Sequence, residues 1–334
     1  MNKFKLNITV INLSIIFVIV FITFSILAPN EFLSIKNFQS IAFKIPEFGL
    51  LTLAMLLPMI AGGINLSTVA STGMIGVICS KILSTFLSKD ASSSTVVIWV
   101  AAIILIALVI SFLSGLFNGI IIGVIGVSPI LATLGTLTLY NGIALKTAGG
   151  VGSITGFPEK LLWIGNGEIL KVPVPIIIFL VISVIIFLVT KTSYGIQIYL
   201  VGSNPVASKF SGINNRSVLI KSYTISGLLC GVAAIIMMAR YNSAKADYGS
   251  SYLLQSILAI IMGGTSISGG SGTVLGTVIA IIILQIISSG FNLIGFSGSA
   301  YVADIVWGAL LIIIITINYL INSGRFVSTK KFSK

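Results

Sequence analysis

Histidine is absent from the 334 residues, and acidic residues number only 7. Without imidazole there is no His-based nucleophilic triad, no His metal ligand and no His proton relay. Carboxylates this sparse leave no apolar run with the paired acids that many proton-driven carriers use. Charge of either sign is scarce, at 8% of residues against roughly 25% in an ordinary globular protein, while 56% are hydrophobic. A soluble fold of this length needs far more charge to wet its surface. Lipid solvates what water cannot, so the expected class is an all-α, polytopic membrane bundle. The two cysteines, Cys79 and Cys230, both lie inside apolar runs and read as small core fillers rather than a redox pair. A G-x-x-x-x-G-K-[ST] phosphate loop is also missing, so any ATP must be bound and hydrolysed by another subunit. The chain itself is expected to carry no cofactor and no catalytic residues.

What is present is a succession of apolar runs: 8–28, 41–61, 64–87, 95–116, 120–144, 174–190, 218–238, 253–262, 273–287 and 302–321. They predict about ten spans, the second and eighth being weak. The division is an N-terminal span with an external connector over 1–40, a transmembrane domain over 41–322, and a basic tail over 323–334. The net charge of +12 sits in loops and tails, where the positive-inside rule explains it without nucleic acid. The 190–221 segment holds Lys191, Lys209, Arg216 and Lys221 with no acid, and the tail is likewise purely basic. The 29–47 and 146–171 stretches mix acids with lysines. Both termini and the 191–221 loop are therefore expected in the cytoplasm, with 146–171 outside. Lys81 and Asp304 are the ionisable residues placed near span ends.

Several runs are interrupted by polar and small residues, among 34 glycines. Close helix approach explains most of these. The stretch from Gly263 and Gly264 to Gly269 and Gly270 is too polar for a lipid-facing helix, and predicts a broken or re-entrant element beside a translocation path. Asn65, Ser67, Asn118, Thr133, Thr136 and Asn141 are the candidate path residues, since amides and hydroxyls exchange hydrogen bonds with a solute without trapping it by charge. Helix–helix hydrogen bonding is the competing role for the same groups. In the basic loop, Asn204 caps a helix beginning at Pro205 and Gly212 ends it. That helix presents Val206, Lys209 and Phe210, and a solvated connector has little use for Phe210. A docking element is the better reading, with Arg216 beside it.

These residues resemble a known family. Ala61-Gly-Gly-Ile-Asn-Leu-Ser67 is similar to the G-G-I-D-L-S signature of simple-sugar ABC transporter permeases, the group of ribose, galactose, xylose and autoinducer-2 importers. Gly115-Leu-Phe-Asn-Gly119 with Thr133-Leu-Gly-Thr136, Gly202 through Ile213, and Ile261-Met-Gly-Gly-Thr-Ser266 followed by Gly269-Gly270 match in the same order. The resemblance covers about residues 45–320. It implies a permease working with a second permease copy or paralogue, ABC ATPase subunits and an extracytoplasmic solute-binding protein, in the bacterial cytoplasmic membrane. The 190–221 loop would then carry the helix that docks on the ATPase. Asn65 departs from the pattern, where many sugar permeases have Asp, and this bears on substrate more than fold. Branched-chain amino-acid permeases share the wider superfamily, so an amino acid stays open beside a sugar. A self-contained secondary carrier is the alternative from another class.

Overall fold

The computed structural model describes residues 8–88, 91–294, 305–313 and 316. The chain forms α1 (Ile8–Leu27), α2 (Pro29–Phe32), α3 (Ile35–Ile60), α4 (Thr68–Phe86) and α5 (Ser93–Ile120), the last continuing into a π-helical turn, Ile121–Ile125. After these come α6 (Pro129–Ala148), α7 (Glu159–Asn166), α8 (Val174–Lys191), α9 (Ser193–Ser203) and α10 (Pro205–Phe210). The long α11 (Asn215–Tyr241), the short α12 (Tyr252–Met262) and α13 (Val274–Ile294) follow. Among the described residues the β structure is two antiparallel ribbons, β1 (Ile154–Thr155) on β4 (Ser243–Ala244) and β2 (Glu168–Ile169) on β3 (Val172–Pro173). This is an all-α polytopic bundle. Seven of the described helices are long and apolar enough to cross a membrane; α6, interrupted by Gly, Thr and Asn, and the 11-residue α12 fall outside that set.

The second apolar run, expected as a weak span, is with α11 one of the two most deeply buried of the membrane-length helices among the described residues. Its helix α3 starts at Ile35 rather than 41, and 78% of its most apolar window is buried, against 11% for α1. Ser34 sets that start, its Oγ accepting from Asn37 N at 3.2 Å. The 29–47 stretch is thus mostly helix, not connector. Its modest hydropathy follows from facing protein rather than lipid. The break placed between 116 and 120 also moves. α5 runs straight through Asn118 and ends at Gly126, whose φ of 85° stops the helix, and Pro129 opens the next one. Gly115 and Gly119 are instead where α5 meets α11 backbone to backbone, against Tyr223, Gly227 and Ile220. The last run, 302–321, is helical over 305–313; Asp304, Lys330 and the rest of the basic tail lie outside the described residues.

Hydrogen bonds sort the connections into two ends. At one end Gly270 N donates to Ile60 O at 2.9 Å, and Thr133 Oγ1 donates to Ile64 O at 3.1 Å. That end therefore gathers the close of α3, the openings of α4 and α6, and the α12–α13 turn, with α9 and α10. At the opposite end β1 pairs with β4, Asn166 Nδ2 donates to Ala239 O at 3.0 Å, and Ser289 Oγ donates to Asn37 Oδ1 at 2.6 Å. Buried Cys79 and Cys230 are free thiols in the core between them.

Candidate functional site

Five of the six polar path candidates come together at the α10 end. The 61–67 turn leaves α3 and enters α4 with Asn65 at its centre. Asn65 Oδ1 accepts from Ser67 N at 3.1 Å and from Ser67 Oγ at 2.8 Å, while its Nδ2 donates to Ser226 Oγ on α11 at 2.9 Å. Asn118 Nδ2, on α5, donates to Ser67 Oγ at 2.9 Å. Thr133 ties α6 to the same turn through Ile64 O, and Thr136 Oγ1 donates back to Thr133 O at 3.3 Å. All five side chains are buried. A polar cluster in an apolar bundle is costly unless its members satisfy one another; this one draws them from the 61–67 turn, α5, α6 and α11, and leaves Asn118 Oδ1 buried without a hydrogen-bond partner among the described residues. Asn141 stands apart, half-buried on α6 about two turns beyond Thr133. The sequence reading missed Ser226, and with it Ser71, Ser114 and Tyr140 in the next layer of the same helices. Ser71 and Ser114 share a 3.0 Å bond, and Tyr140 OH donates to Ser114 O at 3.0 Å. Serines at i and i+4 in an apolar helix, as at Ser222 and Ser226, were the available signal.

The glycine-rich stretch is a tight, non-helical turn between α12 and α13. Gly264, Gly269 and Gly270 take φ of 89°, 85° and 75°. A Cβ at Gly269 would come within 2.6 Å of Gly62 Cα, one at Gly270 within 2.7 Å of Ser203 Cα, and one at Gly263 within 2.6 Å of Thr277 N. The turn therefore lies against the close of α3 and the last residues of α9, with no room for side chains.

The basic segment holds two helices rather than one. Thr192 Oγ1 accepts from Gly195 N and starts α9, which the sequence reading left as loop. Asn204 Oδ1 then accepts from Val206 N at 3.0 Å and Ala207 N at 2.9 Å, capping α10 where Pro205 opens it; Ser211 closes it and Gly212 follows with φ 81°. Phe210 is 87% exposed and Val206 65%, and Lys209 and Arg216 are exposed beside them. Asn215, unforeseen from sequence, staples α10 to the first turn of α11: its Oδ1 accepts from Ser208 Oγ at 2.9 Å and its Nδ2 donates to Pro205 O at 2.7 Å. A short helix with a bare aromatic, clamped to a long core helix, can transmit a push.

The other unforeseen residues lie at the opposite end, where Glu47 of α3 is fully buried beside Arg240 of α11, Oε1 to Nη1 at 3.0 Å. No group of three or more His, Cys, Asp or Glu able to hold a metal occurs among the described residues.

Comparison with known proteins agrees with this architecture. The family model described as "Branched-chain amino acid transport system / permease component" matches residues 37–315. The autoinducer 2 import system permease protein LsrD of Enterobacter sp. (strain 638) is 30% identical over 277 residues, 80% of each chain. LsrD of Escherichia coli (strain K12) is 32% identical over 286 residues, 84% of this chain and 81% of the relative. No solved structure matches the chain.

Proposed function

Because the chain belongs to the branched-chain amino acid transport system / permease component family, we propose that this multi-pass membrane protein is the permease subunit of an ATP-driven importer for a small polyhydroxylated solute of the simple-sugar class. ATP is hydrolysed in a separate ABC ATPase, a second permease copy or paralogue completes the channel, and a solute-binding protein delivers cargo from outside. Sugar is favoured over amino acid by the Gly62–Ser67 signature and by relatives named for autoinducer-2 import. The α10 end faces the cytoplasm with both termini, and 146–171 faces outward in the bacterial cytoplasmic membrane, as the loop charges ask. Asn65, Ser67, Asn118, Thr133 and Thr136 border the route, with Asn141 further along α6 and the Gly263–Gly270 turn as its bend.

The observation that carries the reading is the α10 helix: capped, stapled to α11, and presenting a Phe210 that the described residues leave exposed. An aromatic anchor of this kind suits an apolar groove on the ATPase, with Lys209 and Arg216 meeting acids at the rim to set orientation. Phe210→Ala should weaken co-purification with the ATPase or uncouple ATP hydrolysis from uptake, while the bundle stays inserted. Wild-type assembly and wild-type solute-stimulated uptake in that variant would refute the docking role.

A further inference from the structure

Three helix ends come together at the α10 end of the bundle. Lys191 closes α8, Val10 lies in the first turn of α1, and Val274 opens α13. Between them is a cavity of about 200 Å³, lined by Val10, Phe187, Thr190, Lys191, Tyr199 and Leu275 among others. Two of its hydroxyl protons are already spent, Thr190 Oγ1 donating to Phe187 O at 2.7 Å and Tyr199 OH to Gly272 O at 2.8 Å. Other donors are free. Lys191 Nζ sits 5.4 Å from the centre of the Phe187 ring and, among the described residues, has no carboxylate in ion-pair range. Val274 and Leu275 are the first two residues of α13, and among the described residues their N–H groups have no acceptor. The third N–H, of Gly276, is capped by Thr273 Oγ1 at 3.1 Å. With a cation and two unpaired N–H groups at its wall and no acid among its lining residues, the cavity suits an anion.

The apolar part of the wall narrows the class of that anion. Phe187, Val274 and Leu275 supply it together with Val10. Val10 also begins the outward face of α1, where Ile11, Ile15, Val18 and Ile19 are between 41% and 58% exposed. An apolar track therefore leaves the cavity along that helix. Free phosphate has no use for such a track, whereas an acyl chain does. The depth agrees. A lysine that ends a membrane-length helix extends its ammonium into the headgroup layer.

We propose that this cavity binds the phosphate of an anionic phospholipid, with Lys191 Nζ and the Val274 and Leu275 N–H groups as donors and the outward face of α1 as the seat of an acyl chain. A zwitterionic headgroup brings its own cation against Lys191, while a phosphatidylglycerol headgroup brings none. α1 is the least buried of the membrane-length helices among the described residues, so a lipid bridging α1, α8 and α13 adds to what holds it on the bundle. The inference rests on the function proposed above only for the choice of the cytoplasmic leaflet.

Native mass spectrometry of the full-length chain in a neutral detergent, supplied with dioleoylphosphatidylglycerol or dioleoylphosphatidylcholine, tests the site. The chain should retain one phosphatidylglycerol in preference to phosphatidylcholine, and Lys191→Gln should reduce that retention about fivefold or more. Val10→Trp, which fills the apolar side of the cavity and leaves Lys191 in place, should displace the lipid as well, and carries the test if Lys191→Gln cannot be purified. Lys221→Gln removes an equal charge at the same end but outside the cavity, and should retain lipid as the parent does. Equal retention of the two lipids, an equal loss in Lys221→Gln, or unchanged retention in the cavity variants overturns the proposal. An adduct of inorganic phosphate that Lys191→Gln abolishes, without lipid retention, overturns the lipid and assigns the cavity to free anion. Retention in micelles is blind to leaflet, so an inverted chain would keep this result and lose only the leaflet.

Discussion

Gly202 offers the clearest single-atom perturbation of the α10 end. It lies near the close of α9, and a methyl group there would overlap the carbonyl oxygen of Ile60 and come within 2.6 Å of Gly270 N. Both neighbours are backbone, so neither can swing away. Gly202→Ala must separate α9 from α3 and break the 2.9 Å bond from Gly270 N to Ile60 O. Overpacking of this kind costs about 1–3 kcal/mol and the lost hydrogen bond about 1 kcal/mol, while the gain in helix propensity returns about 1 kcal/mol. The net is a destabilisation of about 2 kcal/mol, a factor of about 30 in the unfolding equilibrium. Gly135→Ala on α6 is the matched control. Nothing lies within 4 Å of its Cβ position, so only the propensity gain applies. Denaturant titration of the two variants in detergent micelles, followed by tryptophan fluorescence, separates them. Gly202→Ala should unfold well before the wild type and Gly135→Ala no earlier than it. Equal midpoints for Gly202→Ala and wild type would refute the backbone-on-backbone packing assigned to α9.

Two further outcomes follow from the same geometry. Asn215→Ala removes both staples of α10 but leaves the Asn204 cap intact, so α10 amides should exchange at least about tenfold faster by hydrogen-exchange mass spectrometry while the core of α11 keeps its protection. Unchanged exchange in α10 would mean the Asn204 cap alone holds it. In intact cells an impermeant maleimide should label a thiol from Ser153→Cys and spare one from Ser211→Cys, and the reverse pattern would invert the orientation proposed from loop charge.

The α10 helix was legible residue by residue, because an Asn cap, a Pro at the first position and a Gly after the end act within one turn of chain. The Asn65–Ser67 turn was equally legible as a polar interruption. Its partners were not, since Asn118, Thr133 and Ser226 reach it from three different helices and nothing in their spacing declares which faces converge. The boundary near residue 120 was misplaced for a related reason. Gly115 and Gly119 look like a break in an apolar run, but they are small residues inside a helix that α11 crosses closely, and the actual stop is Gly126 ahead of Pro129.

Composition and the lengths of the apolar runs together determined that this chain dissolves in lipid as a bundle of helices, because these depend on totals and local runs that no packing can alter. Tertiary structure decided which helices are central, α3 and α11 above all. Hydropathy ranks spans by affinity for lipid, and so it undervalued α3, whose neighbours are protein on nearly every side. It also decided that Glu47, one of several charges in a stretch that reads as a loop, is the buried partner of Arg240 nearly two hundred residues away. Pairing across that distance is set by how α3, α11 and α12 cross, and chain separation carries no trace of it.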